Sequence, residues 1–260
     1  MNILDKIVAR KREEVELAKK LKGLNDLERT SSFQREPFSL REFLTDPEKT
    51  GIIAEFKRKS PSKGVINDKV TVEEVTTGYS AAGASALSVL TDRDFFMGHE
   101  DDLIAARKVN DIPILRKEFI IDEFQIIEAK SIGADIILLI AACLTKEEIT
   151  RFAKLAKSLG LSTLLEVHSQ EELDFSLNQF IDVVGVNNRN LKDFTVSIDT
   201  SLQLAETIPS EFLKISESAI SHPETIKILK KAGFNGFLIG ENFMKTENPG
   251  LAMKEFVAQI

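Results

Sequence analysis

Residues 52–64 read IIAEFKRKSPSKG. Ile52–Phe56 is a short, β-rich run that suits a buried strand. With no turn between, it passes through Glu55, Lys57, Arg58 and Lys59 into a small-residue loop, Ser60-Pro-Ser-Lys-Gly64. One such strand decides nothing. Similar runs recur at Ala86–Leu90, Ile112–Leu115, Asp135–Ala141, Leu161–Val167, Val183–Val186, Phe212–Ser216 and Gly236–Ile239. Helical patterns lie between them. Thr71-x-x-Glu74, Thr145-x-x-Glu148 and Ser169-x-x-Glu172 are capping boxes, and Pro223 and Pro249 stand where a first helical residue belongs. Gly83, Gly133, Gly160 and Gly233 stand where helices stop. Strict alternation implies parallel strands, since each crossover needs a helix. Eight such units in residues 51–260 predict an α/β fold, a closed (β/α)8 or TIM barrel. An open doubly wound sheet is the structural alternative, but no Gly-x-Gly-x-x-Gly follows the first strand.

Upstream, residues 3–21 place Ile3, Ile7, Val8, Val15 and Ala18 at helical spacing amid dense charge, which predicts an amphipathic surface helix. Ser39-x-x-Glu42 opens another, with Leu40, Phe43 and Leu44 on its apolar side. Residues 1–50 are thus expected as a helical extension of a single barrel domain spanning 1–260. The 260 residues are 43% hydrophobic and 29% charged, an ordinary globular balance. No apolar run approaches the roughly 18 residues of a membrane span, and the N-terminus lacks the apolar core of a secretory signal. Cys143 is the only cysteine, which excludes an internal disulfide and fits a reducing cytoplasm. A net charge of −7 argues against nucleic acid and anionic membranes as partners. A basic cluster in an acidic chain is better explained by a small anion.

In such a barrel, chemistry collects where strands end. Residues two apart on a strand share a face. Glu55 and Lys57 continue the row of Ile53, Lys117 that of Leu115, Glu166 that of Leu164, and Asn187 that of Gly185; on the seventh strand the row is read as Ser216 and Ser218. Singly, each has a plain structural reading, such as a strand-end ion pair or a turn. Five strands ending alike point to one functional mouth of mutually perturbing charges. Lys59, Ser60 and Gly64 follow strand one, and Ser218 and Gly240-Glu241 follow strands seven and eight, the latter the barrel neighbour of strand one, so these loops are expected to hold phosphate. Phe95 and Phe96 lie in the loop after strand two, where they either face an aromatic ring or pack the loop on itself. The three histidines show no metal-ligand spacing. His168 is placed at the rim, His222 at a helix start, and Cys143 in the core.

These motifs, in this order, resemble those of indole-3-glycerol phosphate synthase, the decarboxylating ring-closure enzyme of tryptophan biosynthesis. The matching segments are IIAEFKRKSPSKG, SVLTDRDFFMG, ILRKEFIID, LLEVHS, VGVNNRNL, KISESAI and FLIGENFM, spanning residues 52 to 244. The resemblance implies conversion of 1-(o-carboxyphenylamino)-1-deoxyribulose 5-phosphate to indole-3-glycerol phosphate, carbon dioxide and water, with no metal and no organic cofactor. It also implies roles. Lys117 is the general acid, Lys57 the partner of the substrate carboxylate, and Glu166 the carboxylate of the dehydration step. Glu55 and Asn187 position the lysines and the anilino group, Ser218 belongs to the catalytic set, and Arg189 supports Asn187. Phosphate is expected among Lys59, Ser60, Ser218, Ala219, Gly240 and Glu241, and the aromatic ring against Phe96, Phe119 and Leu139. Two positions depart from the family pattern. Ala219 replaces a usual Gly, where a methyl would crowd phosphate or resist a positive φ, and His99 replaces a small hydroxyl residue.

Three rivals remain at this point: a phosphoribosylanthranilate isomerase, a lysine Schiff-base aldolase, and a catalytically silent phosphate binder. The first relies on a Cys or Asp pair at the strand ends, which this chain does not place there. The expected partner is the small phosphosugar–anthranilate substrate. The chain is expected to be a cytoplasmic monomer, with other tryptophan-pathway enzymes as candidate partners.

Overall fold

The computed structural model describes residues 3–190 and 194–260. Eight parallel strands close into a barrel. They are β1 (Ile52–Phe56), β2 (Ala86–Leu90), β3 (Ile114–Lys117), β4 (Ile136–Ile140), β5 (Ser162–Val167), β6 (Val183–Asn187), β7 (Leu213–Glu217) and β8 (Gly236–Ile239). Closure is the pairing of β1 with both β2 and β8, for example Ile53 with Ala86 and with Leu238. Helices follow the strands as expected. Thr71 and Thr145 build complete capping boxes, and Pro223 and Pro249 open their helices. The third strand begins two residues later than its apolar run suggests. Pro113 has no N–H to give a ladder, so pairing starts at Ile114, and the strand runs on through Arg116 and Lys117.

The pleat sorts each strand into two cores. Ile53, Leu115, Leu138, Leu164, Ile215 and Leu238 point into the barrel. Their neighbours, such as Ala54, Ile137, Leu139 and Leu165, pack outward against the helices. Leu40 and Leu44, from the helix Leu40–Thr45, join the inner cluster and plug the barrel floor beside Gly236. Asp135 stands at that lower end, fully buried, and its carboxylate accepts from Arg35, Arg107 and the backbone N–H groups of Phe38 and Ile114.

The first helix, Ile3–Leu21, does more than cover surface. Ile3, Leu4 and Ile7 line the cavity at the upper mouth of the barrel. One turn on, Lys11 is only 3% exposed, and its ammonium lies 3.0 Å from both Asp92 and Glu118. A lysine buried on the apolar face of an amphipathic helix is held there by ions, since an unpaired one would be expelled. Among the described residues, no helix is long and apolar enough to cross a membrane.

Candidate active site

Of the three bases that follow the first strand, the fold turns only one into the barrel. Lys57 continues the inward row and donates to Glu55 Oε1 at 2.7 Å, beside a cavity of about 810 Å³ that both residues line. Arg58 faces away, forking onto Asp102 and stacking on the Phe56 ring. Lys59 is the first residue of a short antiparallel ladder with Gly64 and Val65, and its ammonium donates to the Asp94 carbonyl at 3.2 Å. It does not line the cavity, which corrects its expected place in the phosphate pocket. Lys63, four residues on, lines it instead and pairs with Glu241 at 3.5 Å. The ladder reverses the chain, so proximity to the strand end no longer predicts direction.

Lys117 is the hub. Its Nζ lies 2.6 Å from Glu217 Oε2 and 3.3 Å from Glu166 Oε2. Burial alone would favour the neutral amine, but Glu217, Glu166 and Glu55 outweigh it and hold the group protonated well above the usual lysine range. A lysine so firmly protonated is poorly prepared to act as a Schiff-base nucleophile. Glu55 is pushed up by burial, but Lys57 and Lys117 pull harder and its net direction is down. Ser88 Oγ donates to its second oxygen at 3.1 Å.

Glu217 is the functional residue that sequence reasoning missed. The inward row of β7 is Leu213, Ile215 and Glu217, not Ser216 and Ser218. Ser216 points outward, where its hydroxyl meets Asn188 and Ser201. The apolar Leu213 and Ile215 carried the correct phase; two flanking serines that resemble site residues obscured it. Glu166 and Glu217 compete for one ammonium. Glu166 also has Asn187 and His168, so it stays ionised below the ordinary carboxylate value. Burial and the nearby Glu166 charge leave Glu217 pushed up to about 7. Its Oε1 is buried without a hydrogen-bond donor among the described residues.

Two glycines make room for these carboxylates. A Cβ at Gly185 would stand 2.5 Å from Glu217 Oε1, and one at Gly240 would stand 2.6 Å from Glu55 Oε1. Gly185→Ala is therefore expected to lower stability by about 1–3 kcal/mol in chemical denaturation. Removing the obstructing carboxylate as well, in Gly185→Ala with Glu217→Ala, should recover most of that loss. Additive losses would show that the collision is not the cause.

The other expected residues fall on opposite sides of the cavity. Phe96 and Phe119 line one wall with ring centroids 6.0 Å apart. Leu139 does not join them, because it belongs to the outer core; Leu138 and Ile140 face the cavity in its place. A run of five apolar residues gives no alternation from which to choose. Ser60, Ser218, Ala219, Gly240 and Glu241 line the cavity too. Ser218 and Ala219 both adopt positive φ, 65° and 60°. Ala219 thus keeps the left-handed backbone that a glycine would take freely, at a steric cost of about 1–2 kcal/mol. Asn187 and Arg189 are also lining residues, and Asn187 Oδ1 accepts from the Arg189 N–H at 3.0 Å.

Four lesser positions resolve simply. His99 caps the helix Glu100–Val109, accepting from Asp101 N, so a ring nitrogen performs the capping a hydroxyl would. His222 precedes a helix opened by Pro223. Phe95 does not line the cavity; its N–H and that of Phe96 go to Asp92 Oδ1. Burial and two nearby glutamates push the Cys143 thiol up to about 12, which leaves it no thiolate for nucleophilic work.

Comparison with known proteins agrees with this geometry. Residues 4–256 match the family model for indole-3-glycerol phosphate synthase. A protein of that name from Bacteroides thetaiotaomicron is 48% identical over 259 residues, covering 100% of this chain and 99% of its own length. Another, from Laribacter hongkongensis, is 42% identical over 261 residues, covering 99% of each chain. Among solved structures, the tryptophan synthase α subunit of Legionella pneumophila superposes with a TM-score of 0.62 at 14% identity, over 85% of this chain and 95% of that one. A 3-hexulose-6-phosphate synthase gives 0.60 at 15% identity, over 81% and 100%. At such identities the structural matches speak for the barrel alone. The family model and the full-length relatives speak for more: the chain belongs to the indole-3-glycerol phosphate synthase family.

Proposed function

We propose that this chain is an indole-3-glycerol phosphate synthase, a carboxy-lyase that closes the indole ring of 1-(o-carboxyphenylamino)-1-deoxyribulose 5-phosphate with loss of carbon dioxide and water. The observation that carries the reading is the Lys117 ammonium, held by two glutamates on the floor of a cavity with aromatic side chains on one wall. The substrate ring lies against Phe96, Phe119, Leu138 and Ile140. Its phosphate lies among Ser60, Ser218, Ala219, Gly240 and Lys63, with Glu241 closing the pocket.

As the carboxylate-bearing ring carbon bonds to the ketone carbon, Lys117 gives its proton to the ketone oxygen. A pre-placed ammonium both stabilises that developing charge and neutralises it. Lys57 pairs with the substrate carboxylate, which leaves as carbon dioxide while its bonding pair restores the aromatic ring. In the dehydration, Glu166 takes a proton from the adjacent carbon, and the new hydroxyl departs as water with a proton from Lys57. Two protons are given and one is taken back, so each turnover consumes one from solvent. Glu55, Asn187 and Arg189 hold the lysines and the anilino group in place.

All of this chemistry sits on one barrel domain. The chain works as a cytoplasmic monomer, and other tryptophan-pathway enzymes are its candidate protein partners. The test is an assay of chelator-treated protein, following indole product by fluorescence. Metal-independent turnover supports the reading. Tight binding of the substrate without product would leave an anion-binding barrel and remove the enzyme.

A further inference from the structure

His168 has no part in the steps above, yet it is buried directly behind the base. It follows β5, two residues after Glu166, and its side chain is 11% exposed. Its Nδ1 lies 3.1 Å from Glu172 Oε2, and its Nε2 lies 3.4 Å from Glu166 Oε1. That Nε2 is buried and makes no hydrogen bond among the described residues, so it meets Glu166 at ion-pair distance only. The sequence pattern Ser169-x-x-Glu172 predicts that Glu172 should reach back to the Ser169 N–H. Ser169 does accept from Glu172 N, completing half of the box. The Glu172 carboxylate, however, passes over Ser169 and takes the His168 N–H at 2.7 Å together with the ring. A helix-capping acid has been diverted onto a histidine.

We propose that His168 is a positioning residue for the reaction's base: clamped as an imidazolium between Glu172 and Glu166, it holds Glu166 ionised and fixes Oε1, leaving Oε2 to Lys117 and the substrate. The inference rests on Glu166 acting as base in the reaction proposed above. Four elements supply the charges around the clamp. Glu172 comes from the helix Gln170–Ser176, Glu217 from β7, and Lys117 from β3 across Glu166. After β4, Cys143 faces both Glu166 and Glu172 as a neutral thiol, with Asp5 of the first helix beyond it. Burial opposes charge on the ring, but Glu172 and Glu166 outweigh it and raise the histidine above its ordinary value. A base that must be a carboxylate before it can accept a proton gains from a fixed cation on its far side. Lys117 cannot serve alone, because it gives up its own proton during ring closure.

The test is a histidine-ring NMR titration of the full chain, with His168 assigned by the resonance lost in His168→Gln. His168 is expected to titrate above the roughly 6.5 of a free histidine. Its midpoint should fall by about one pH unit in Glu166→Gln and again in Glu172→Gln. A midpoint at the free value, or one indifferent to Glu166→Gln, overturns the clamp. In kinetics, His168→Gln should move the acidic limb of the rate profile upward by about one pH unit, because Glu166 loses its cation. A uniform loss at every pH would mark a merely structural role and also overturn it. The NMR arm needs no turnover, so it decides the clamp even if the indole assay refutes the proposed reaction.

Discussion

Replacing Lys117 by methionine is expected to lower kcat by at least about 100-fold, with substrate binding far less affected. Methionine keeps an unbranched stem of similar length and removes only the charge and the proton. In the native site that ammonium is the shared counter-ion of Glu166 and Glu217, with Glu55 contributing at longer range. Without it, the carboxylates face one another in a buried mouth and cannot all stay ionised. Their folded-state pKa values then rise above the unfolded ones, so the variant should lose stability relative to the native protein as pH rises from about 5 to 8. Urea titrations at those two pH values would show it. Lys117→Arg separates the two duties of the residue. A guanidinium supplies charge but does not release a proton at neutral pH, so it should restore the stability profile without restoring turnover. Near-normal turnover in either variant would remove Lys117 as the acid.

That prediction concerns a residue legible in the sequence, and the reason is physical. Leu115 and Lys117 lie two apart on a strand whose other face is filled by Arg116, an outward residue bonded to Glu128 and to Thr91. In the structure the two faces separate cleanly there, Leu115 and Lys117 inward and Arg116 outward. The barrel itself was legible because eight short apolar, β-rich runs separated by capped helices admit few topologies. Legibility failed where local chemistry gave no phase. On β4 five apolar residues hid which of Leu138 and Leu139 faces inward. On β7 polar residues on both faces did the same for Glu217. Lys59 was misplaced because a two-residue ladder, too short to show periodicity, turns the chain over. Lys11 was read past for a different reason: nothing within its own helix indicates that two acids from the loops after β2 and β3 will meet it. Within the helix only Glu14, three residues on, announces itself as a partner, at 2.6 Å; the other two are set by tertiary structure.

Glu217→Gln is expected to give a protein more stable than the native one at pH 8 and less active. Below about pH 4.5 the native carboxyl is protonated in both folded and unfolded chains and has no linkage effect. Between 4.5 and about 7 the unfolded chain has released this proton while the folded one keeps it, so native stability falls as pH rises. Above 7 both have released it and the loss is complete, on the order of 3 kcal/mol. Glutamine fills the same space beside Gly185, carries no titrating proton and places no charge against Glu166, so this slope should vanish. The cost falls on Lys117, which exchanges an ionic anchor at 2.6 Å for a neutral amide and loses its fixed aim at the substrate. Turnover should drop by about tenfold or more, less than in Lys117→Met because the acid itself remains. Stability curves at pH 5, 6.5 and 8 for both proteins, set beside their rates, would decide it. Parallel curves would mean that Glu217 does not titrate near neutrality; a flattened curve with unchanged rates would mean that Lys117 is aimed by Glu166 alone. A flattened curve with a slower rate would show why the mouth tolerates a carboxyl so poorly paired: the destabilising charge is what holds the proton donor in line.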